Sequence, residues 1–326
     1  MNEAAATELD EITGARAWLS HMTAGRFDQA WQVSHVLLRR PRPSPAVTPR
    51  HQQSVWDGTP LDGRRVLVRC YHGLGDTIQF IRYAPILRRV ASRVIVWCQR
   101  PLVPLLGPVD GIDEILPLHD GDVDAAYDVD VEVMELPFVF RTTLNDVPAR
   151  VPYITAAPSA DKRSTGTGQL DVGIVWKAGD WAPHRSLAFS QLAPLFAAPV
   201  SWHILQAGPA LLERPPGLGR LAPASEPVST AREMMNMDLV ISVDSMTAHL
   251  AGALGIPVWT LLPADADWRW MRDRDDSPWY PTMRLFRQRH PGDWDPVVRA
   301  VAEALSAARP GDLSSARMSR PSAASA

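Results

Sequence analysis

From Arg65 onward the chain alternates short apolar runs with polar or helix-forming stretches. The runs are "RVLVRC" (65–70), "RVIVWC" (93–98), "DEILPL" (113–118) and "YDVDVEV" (127–133). Short segments of this kind, separated by helical or irregular pieces, suit strands of a sheet covered on both faces. After "APSADKRSTGTGQ" (157–169), polar and rich in small residues, the same grammar restarts. Strand "DVGIVWKAG" is followed by helix "SLAFSQLAPLF", strand "SWHILQAG", helix "TAREMMNM", strand "DLVISV", helix "SMTAHLAGALG" and strand "PVWTLLP". This alternation predicts an α/β protein with two Rossmann-like parallel-sheet lobes facing a cleft. A last helix, roughly "WDPVVRAVAEALSAAR", precedes a Ser/Ala/Pro/Arg tail that reads as disordered.

Residues 8–40 carry helical periodicity instead, with Leu9, Ile12, Ala15, Trp18 and Leu19 on one face and "AGRFDQAWQVSHVLLRR" as a second helix. "GRFDQAW" is like the middle of a tetratricopeptide repeat, but a single repeat unit cannot bury its own faces. The hairpin is therefore expected to pack on the body of the chain or on a second copy, which would give a homo-oligomer. The prolines of "RPRPSPAVTPRHQQSVWDGTPLDG" mark a surface linker. The expected organisation is a hairpin at 1–45, an N-terminal lobe at 46–160, a C-terminal lobe at 168–308 and a tail at 309–326.

Length and charge narrow the functional classes. The 326 residues exceed one comfortable core, and a formal charge of -3 offers no basic field for nucleic acid or an anionic membrane. The start, "MNEAAATELDEI", lacks the basic and apolar regions of a secretory leader. No apolar run approaches the roughly 20 residues of a membrane helix. Cys70 and Cys98 are the only cysteines, which excludes a disulfide scaffold and a multi-cysteine metal site and fits the cytoplasm. Several of the 12 tryptophans fall in polar segments such as "DWRWMRDRDDSPWY", where they either line a sugar-stacking surface or pack a core.

In open parallel sheets, ligands bind beyond the carboxyl ends of the strands. Three such loops carry candidate chemistry. The first is "YHGLGD", where the chain bends through Gly73 and Gly75 and a helix begins on Asp76. A carboxylate there is either a cap or a catalyst. No third glycine stands where a dinucleotide fingerprint needs one. The second, "WKAGDWAPHRS", brings Lys177 and Arg185 to a strand end, cations that suit phosphate or are merely solvated. The third is "VDSMTAHLAGALG": Asp244 ends a strand, and Ser245, Met246 and Thr247 open a helix whose free N–H groups suit a diphosphate without a metal. His249, one turn on, is a ligand contact or a hydrogen-bonded core residue. "DVD" at 122 and 128 and "DAD" at 265 imitate acid-x-acid metal sites but read as surface among 36 acidic residues. No G-x-S-x-G elbow, H-E-x-x-H helix or Walker loop occurs.

Three long motifs in this order, "GLGDTIQFIRYAPIL", "DLVISVDSMTAHLAGALGIPVWTLLP" and "DWRWMRDRDDSPWYPTMRLFRQ", resemble the heptosyltransferase-like glycosyltransferases of family nine, in the branch often fused to tetratricopeptide repeats. The likeness covers roughly residues 54–305. It implies a GT-B fold with the donor held mainly by the C-terminal domain and the acceptor by the N-terminal one. It also implies no essential metal and no cofactor, with a nucleoside diphosphate sugar as co-substrate. By this resemblance Asp76 is the general base, and Arg185, with Lys177, meets the diphosphate. Asp244, Ser245, Met246, Thr247 and His249 form the donor cradle, Gln206 of "ILQAG" meets the nucleoside, and Tyr71, His72, Gly73 and Gly75 belong to the acceptor side. Relatives in that branch commonly carry Glu-Gln before G-L-G-D, where this chain has Tyr71-His72. The implied reaction is inverting, metal-independent transfer of a sugar, heptose among the candidates, to a hydroxyl of a carbohydrate, small molecule or protein. Two alternatives stand beside it: a non-catalytic nucleotide-sugar-binding or assembly module, and a nucleotide-sugar epimerase on the same fold.

Overall fold

The computed structural model describes residues 11–38, 56–160, 169–179, 182–222, 226–309 and 313. Leu9, most of the proline-rich linker, the core of the polar join (161–168) and nearly all of the expected tail lie outside the described residues. The first unit of the chain contributes α1 (Glu11–Thr23), α2 (Phe27–Leu38), β1 (Arg65–Arg69), α3 (Leu74–Phe80), α4 (Ala84–Val90) and β2 (Arg93–Cys98). A short α5 (Val103–Leu106) leads to β3 (Glu114–Pro117), β4 (Val129–Glu132) and α6 (Leu136–Val139). Then come β5 (Asp171–Val175), β6 (Ser201–Ile204), β7 (Arg220–Leu221), α7 (Pro227–Met234), β8 (Leu239–Val243), α8 (Met246–Ala253), β9 (Val258–Leu262), β10 (Met283–Arg287) and α9 (Asp295–Ala307). Residues Asp267–Asp273, although late in the chain, belong to the first unit.

Each unit is built on one sheet, as the two-lobe α/β reading expects. The first has strand order β3-β2-β1-β4 and the second β10-β9-β8-β5-β6-β7. Every strand pair is parallel. The centres of the middle strands are buried because both faces are covered: Val66, Leu67 and Val68 of β1 and Leu239 to Val243 of β8, Ser242 included. In the first sheet the chain runs outward from β1 through β2 and β3, then returns to the other side of β1 as β4. The second sheet repeats this, with β8 returning beside β5. Such a reversal leaves a crevice beyond the carboxyl ends of the two neighbouring strands. The loops that follow β1 and β4, and those that follow β5 and β8, are therefore the places where a ligand is expected.

The N-terminal helical pair packs on the first unit's own core. Trp31 donates its indole N–H to the Thr142 carbonyl at 2.6 Å, and its ring lies 5.7 Å from Phe138. Trp268 is the hub of the contact. Its ring stacks on Phe80 at 6.1 Å and meets the edges of Trp18 at 5.5 Å and Phe27 at 6.5 Å. This capture of Trp18 sets the rotation of α1, and the predicted apolar face is wrong by a step. Gly14, Met22 and Thr23 are buried, Ala15 is exposed, and Ile12 and Leu19 are 67% and 48% exposed.

Three further expectations need correction. Helix α3 begins at Leu74, so Gly75 lies inside it and Asp76 occupies its third position, with Gly73 as the flanking residue. The stretch Phe189–Ala197, with Pro194 inside it, forms a 3-10 helix and not an α-helix. Trp268, Trp270 and Trp279 are buried core residues, which rules out the sugar-stacking surface for them.

Candidate functional site

At the end of β1 the chain turns through Cys70, Tyr71 and His72 into α3. The turn is tied to β2, since Gln99 donates its amide to the His72 carbonyl at 2.6 Å and accepts from the Thr77 hydroxyl at 3.0 Å. Asp76 folds back on its own helix start, its Oδ2 accepting from the Gly73 N–H at 2.9 Å. A Cβ at position 73 would stand 3.1 Å from that oxygen, so glycine gives the carboxylate room to close the turn. The other oxygen, Oδ1, accepts from Arg269 Nη1 at 2.7 Å. Arg269 is itself anchored by Asp267 at 2.8 Å and by the Gln79 side-chain oxygen at 2.9 Å. Asp76 remains 20% exposed while Arg269 is only 7% exposed. The carboxylate is thus oriented from two sides and keeps lone pairs free toward solvent, as an acceptor of a proton requires.

Arg269 has no signal in the sequence near Asp76, from which 193 positions separate it. Asp267, read as a surface acid of "DAD", is the anchor of this guanidinium. The acids of "DVD" at 128 are likewise engaged: Asp128 pairs with Arg65 at 2.7 Å, and Asp130 forms a close ion pair with Arg69.

A second carboxyl that the sequence reading passed over stands beside this loop. Glu132 ends β4 and is in register with Arg69 at the end of β1. Its side chain is 5% exposed. Oε2 accepts from the Met134 N–H at 2.6 Å and lies 3.8 Å from His72 Nε2, whereas Oε1 is buried with no hydrogen-bond partner. Burial pushes this carboxyl up to about 8; the Met134 N–H opposes the rise, the charges of Glu135 and Asp76 add to it, and the nearby Tyr71 N–H opposes it weakly. Cys70 and Cys98 are free and buried, and burial pushes the Cys98 thiol up to about 12, so neither serves as a thiolate nucleophile.

In the second unit the corresponding reversal gathers the residues expected from the β5 and β8 loops. Arg185 Nη1 lies 3.5 Å from Asp244 Oδ2, and His249 Nε2 lies 3.9 Å from Asp244 Oδ1. The His249 Nδ1 is 3.0 Å from the Tyr280 hydroxyl. Tyr280 comes so near α8 that a Cβ on Gly252 would stand 2.4 Å from its ring, so only glycine fits there. Ser245 flanks the start of α8, and its hydroxyl pairs with Ser242 at 3.1 Å instead of capping the helix. The N–H groups of Met246 and Thr247 in the first turn have no intrahelical partner by construction of an α-helix, and they suit an anion.

Two expected donor residues are engaged within the unit. Lys177 Nζ pairs with Glu213 at 2.9 Å. The Gln206 side-chain oxygen accepts from the Trp176 and Lys177 N–H groups at 3.1 and 2.9 Å, and its amide donates to the Ala207 carbonyl. Gln206 therefore shapes the loop that follows β5. Among the described residues no group of three or more His, Cys, Asp and Glu side chains is arranged to hold a metal ion. No helix among them is long and apolar enough to cross a membrane.

No family model matches the chain. Protein FlbA of Caulobacter vibrioides is 26% identical over 328 residues, covering 87% of this chain and 53% of that protein. The chain thus spans about half the length of this curated relative. Among solved structures, the glycosyl transferase family 9 from Veillonella parvula DSM 2008 superposes with a TM-score of 0.53 at 12% identity, over 80% of this chain and 97% of that one. The ADP-heptose LPS heptosyltransferase II of E. coli superposes with a TM-score of 0.51 at 12% identity, over 74% and 98%. The chain therefore shares the GT-B glycosyltransferase fold of these neighbours, two Rossmann-like parallel-sheet domains, here preceded by a helical pair.

Proposed function

We propose that this protein is an inverting glycosyltransferase that moves a sugar from a nucleoside diphosphate donor to an acceptor hydroxyl without a metal ion. The observation that carries the reading is Asp76: a partly exposed carboxylate in the first turn of α3, in the loop-and-helix start that follows β1 at the sheet's reversal point, held from two sides by Arg269 and the Gly73 N–H. Asp76 takes the acceptor's hydroxyl proton as the acceptor oxygen bonds to the anomeric carbon. The bond from that carbon to the diphosphate oxygen breaks, and the nucleoside diphosphate leaves with the electron pair. One displacement inverts the anomeric centre.

The second unit is assigned the donor. Arg185 and the first N–H groups of α8 offset the charge that develops on the leaving diphosphate, with Asp244 and His249 orienting Arg185 and the helix start. Lys177 adds to this field only by exchanging its Glu213 partner for phosphate. Since one of the structural neighbours is an ADP-heptose heptosyltransferase, ADP-heptose is the first donor to try. The acceptor is assigned to the first unit, beside Tyr71 and His72.

Two outcomes test this. Donor turnover is expected to persist in excess EDTA, because fixed cations and amides supply the positive field; loss on chelation with recovery in magnesium or manganese would remove the metal-free assignment. Arg185→Gln is expected to weaken nucleoside diphosphate binding by about 1.5 to 3 kcal/mol while leaving nucleoside binding nearly unchanged. Calorimetric titration with both ligands checks it, and equal losses would move Arg185 away from the phosphates.

A further inference from the structure

Glu132 has more placement than a cap needs. It ends the strand that returns beside β1, directly across from Arg69. The groups that face it are His72 and Cys70 from the β1 turn, Asp76 from α3, and Glu135 from its own segment. Oε2 alone satisfies the cap, through the Met134 N–H. Oε1 is buried without a partner, and two neighbours at the same strand ends share this condition, Arg69 at Nε and Tyr71 at its hydroxyl. Buried polar atoms are rarely left unpaired in a folded protein, and three at one reversal point mark a place built to meet a polar ligand.

We propose that Glu132 is an acceptor-binding residue, whose Oε1 hydrogen-bonds the acceptor's nucleophilic hydroxyl and orients it toward Asp76. The inference rests on the transfer reading above and deepens its acceptor side. It divides labour between two carboxyls. Asp76, held by Arg269 and the Gly73 N–H, takes the proton. Glu132, buried near Asp76 and Glu135 and in no ion pair with Arg or Lys among the described residues, has its carboxyl pushed up to about 8 and can donate to the acceptor oxygen without competing for that proton. Above that value Glu132 ionises, loses the donor and repels the developing alkoxide, so turnover should fall.

The test uses water as acceptor and whichever nucleotide sugar the protein consumes from a panel that includes ADP-heptose. Glu132→Leu is expected to cut donor hydrolysis at least tenfold with donor affinity unchanged. Glu132→Gln, which cannot ionise but can still donate, is expected to recover part of that loss and to show no decline between pH 7 and 9, where the parent declines. A purely structural cap would lower the melting temperature without this pH signature. Parental hydrolysis in Glu132→Leu, or the parent's alkaline decline persisting in Glu132→Gln, overturns this inference and leaves the transfer reading standing. A parent that consumes no nucleotide sugar overturns both.

Discussion

Asp76→Asn is expected to fold, to bind donor as the parent does, and to lose sugar transfer by at least about 10²-fold. Asn matches Asp in shape and caps helices comparably well, but it has one acceptor oxygen where Asp76 uses two, toward Gly73 and Arg269. One of those contacts must go, and Arg269 is left with Asp267 and Gln79. A hydrogen bond to a charged group contributes about 1.5 to 3 kcal/mol, less here because Asp76 is partly exposed. A modest fall in stability should therefore accompany the loss of turnover. The two effects separate the roles: a structural carboxylate would give the stability loss with parental turnover, whereas a base gives the turnover loss at every temperature where the fold is intact.

Trp268→Ala is expected to destabilise the first unit by about 3 to 5 kcal/mol, the usual range for emptying a buried tryptophan site. Its ring joins Phe80 of α3 to Trp18 and Phe27 of the helical pair. Removing it takes away the surface on which α1 sits and loosens the backbone beside Arg269, so donor turnover should fall with stability. Denaturant unfolding, with hydrogen exchange to separate the two units, measures the change. A loss below about 1 kcal/mol would mean that the helical pair is held mainly by Trp31 and Phe138.

Much of the fold was legible because its central strands are buried on both faces and read as short apolar runs. The four strands of the first sheet fall within the predicted segments, as do β5, β6, β8 and β9. Strand β7, with two residues, is too short to carry a pattern, and β10 was read only as part of a long motif. The rotation of α1 was illegible since Trp268, from late in the chain, decides it. The same limit governs the site. Asp76 and Asp244 announce themselves as acids at strand or loop ends before helices. Arg269 sits in an aromatic, charged segment whose partner is set by tertiary structure alone. Glu132 looked like an ordinary strand residue until the strand order placed β4 beside β1.

The most direct measurement follows a panel of nucleotide sugars by proton NMR with the parent protein and Asp76→Asn. The parent is expected to consume one donor, release its nucleoside diphosphate and yield a sugar of inverted anomeric configuration, while Asp76→Asn binds the same donor and leaves it intact. Consumption of that donor at the same rate by both proteins, or a product of retained configuration, would contradict inverting transfer with Asp76 as the base.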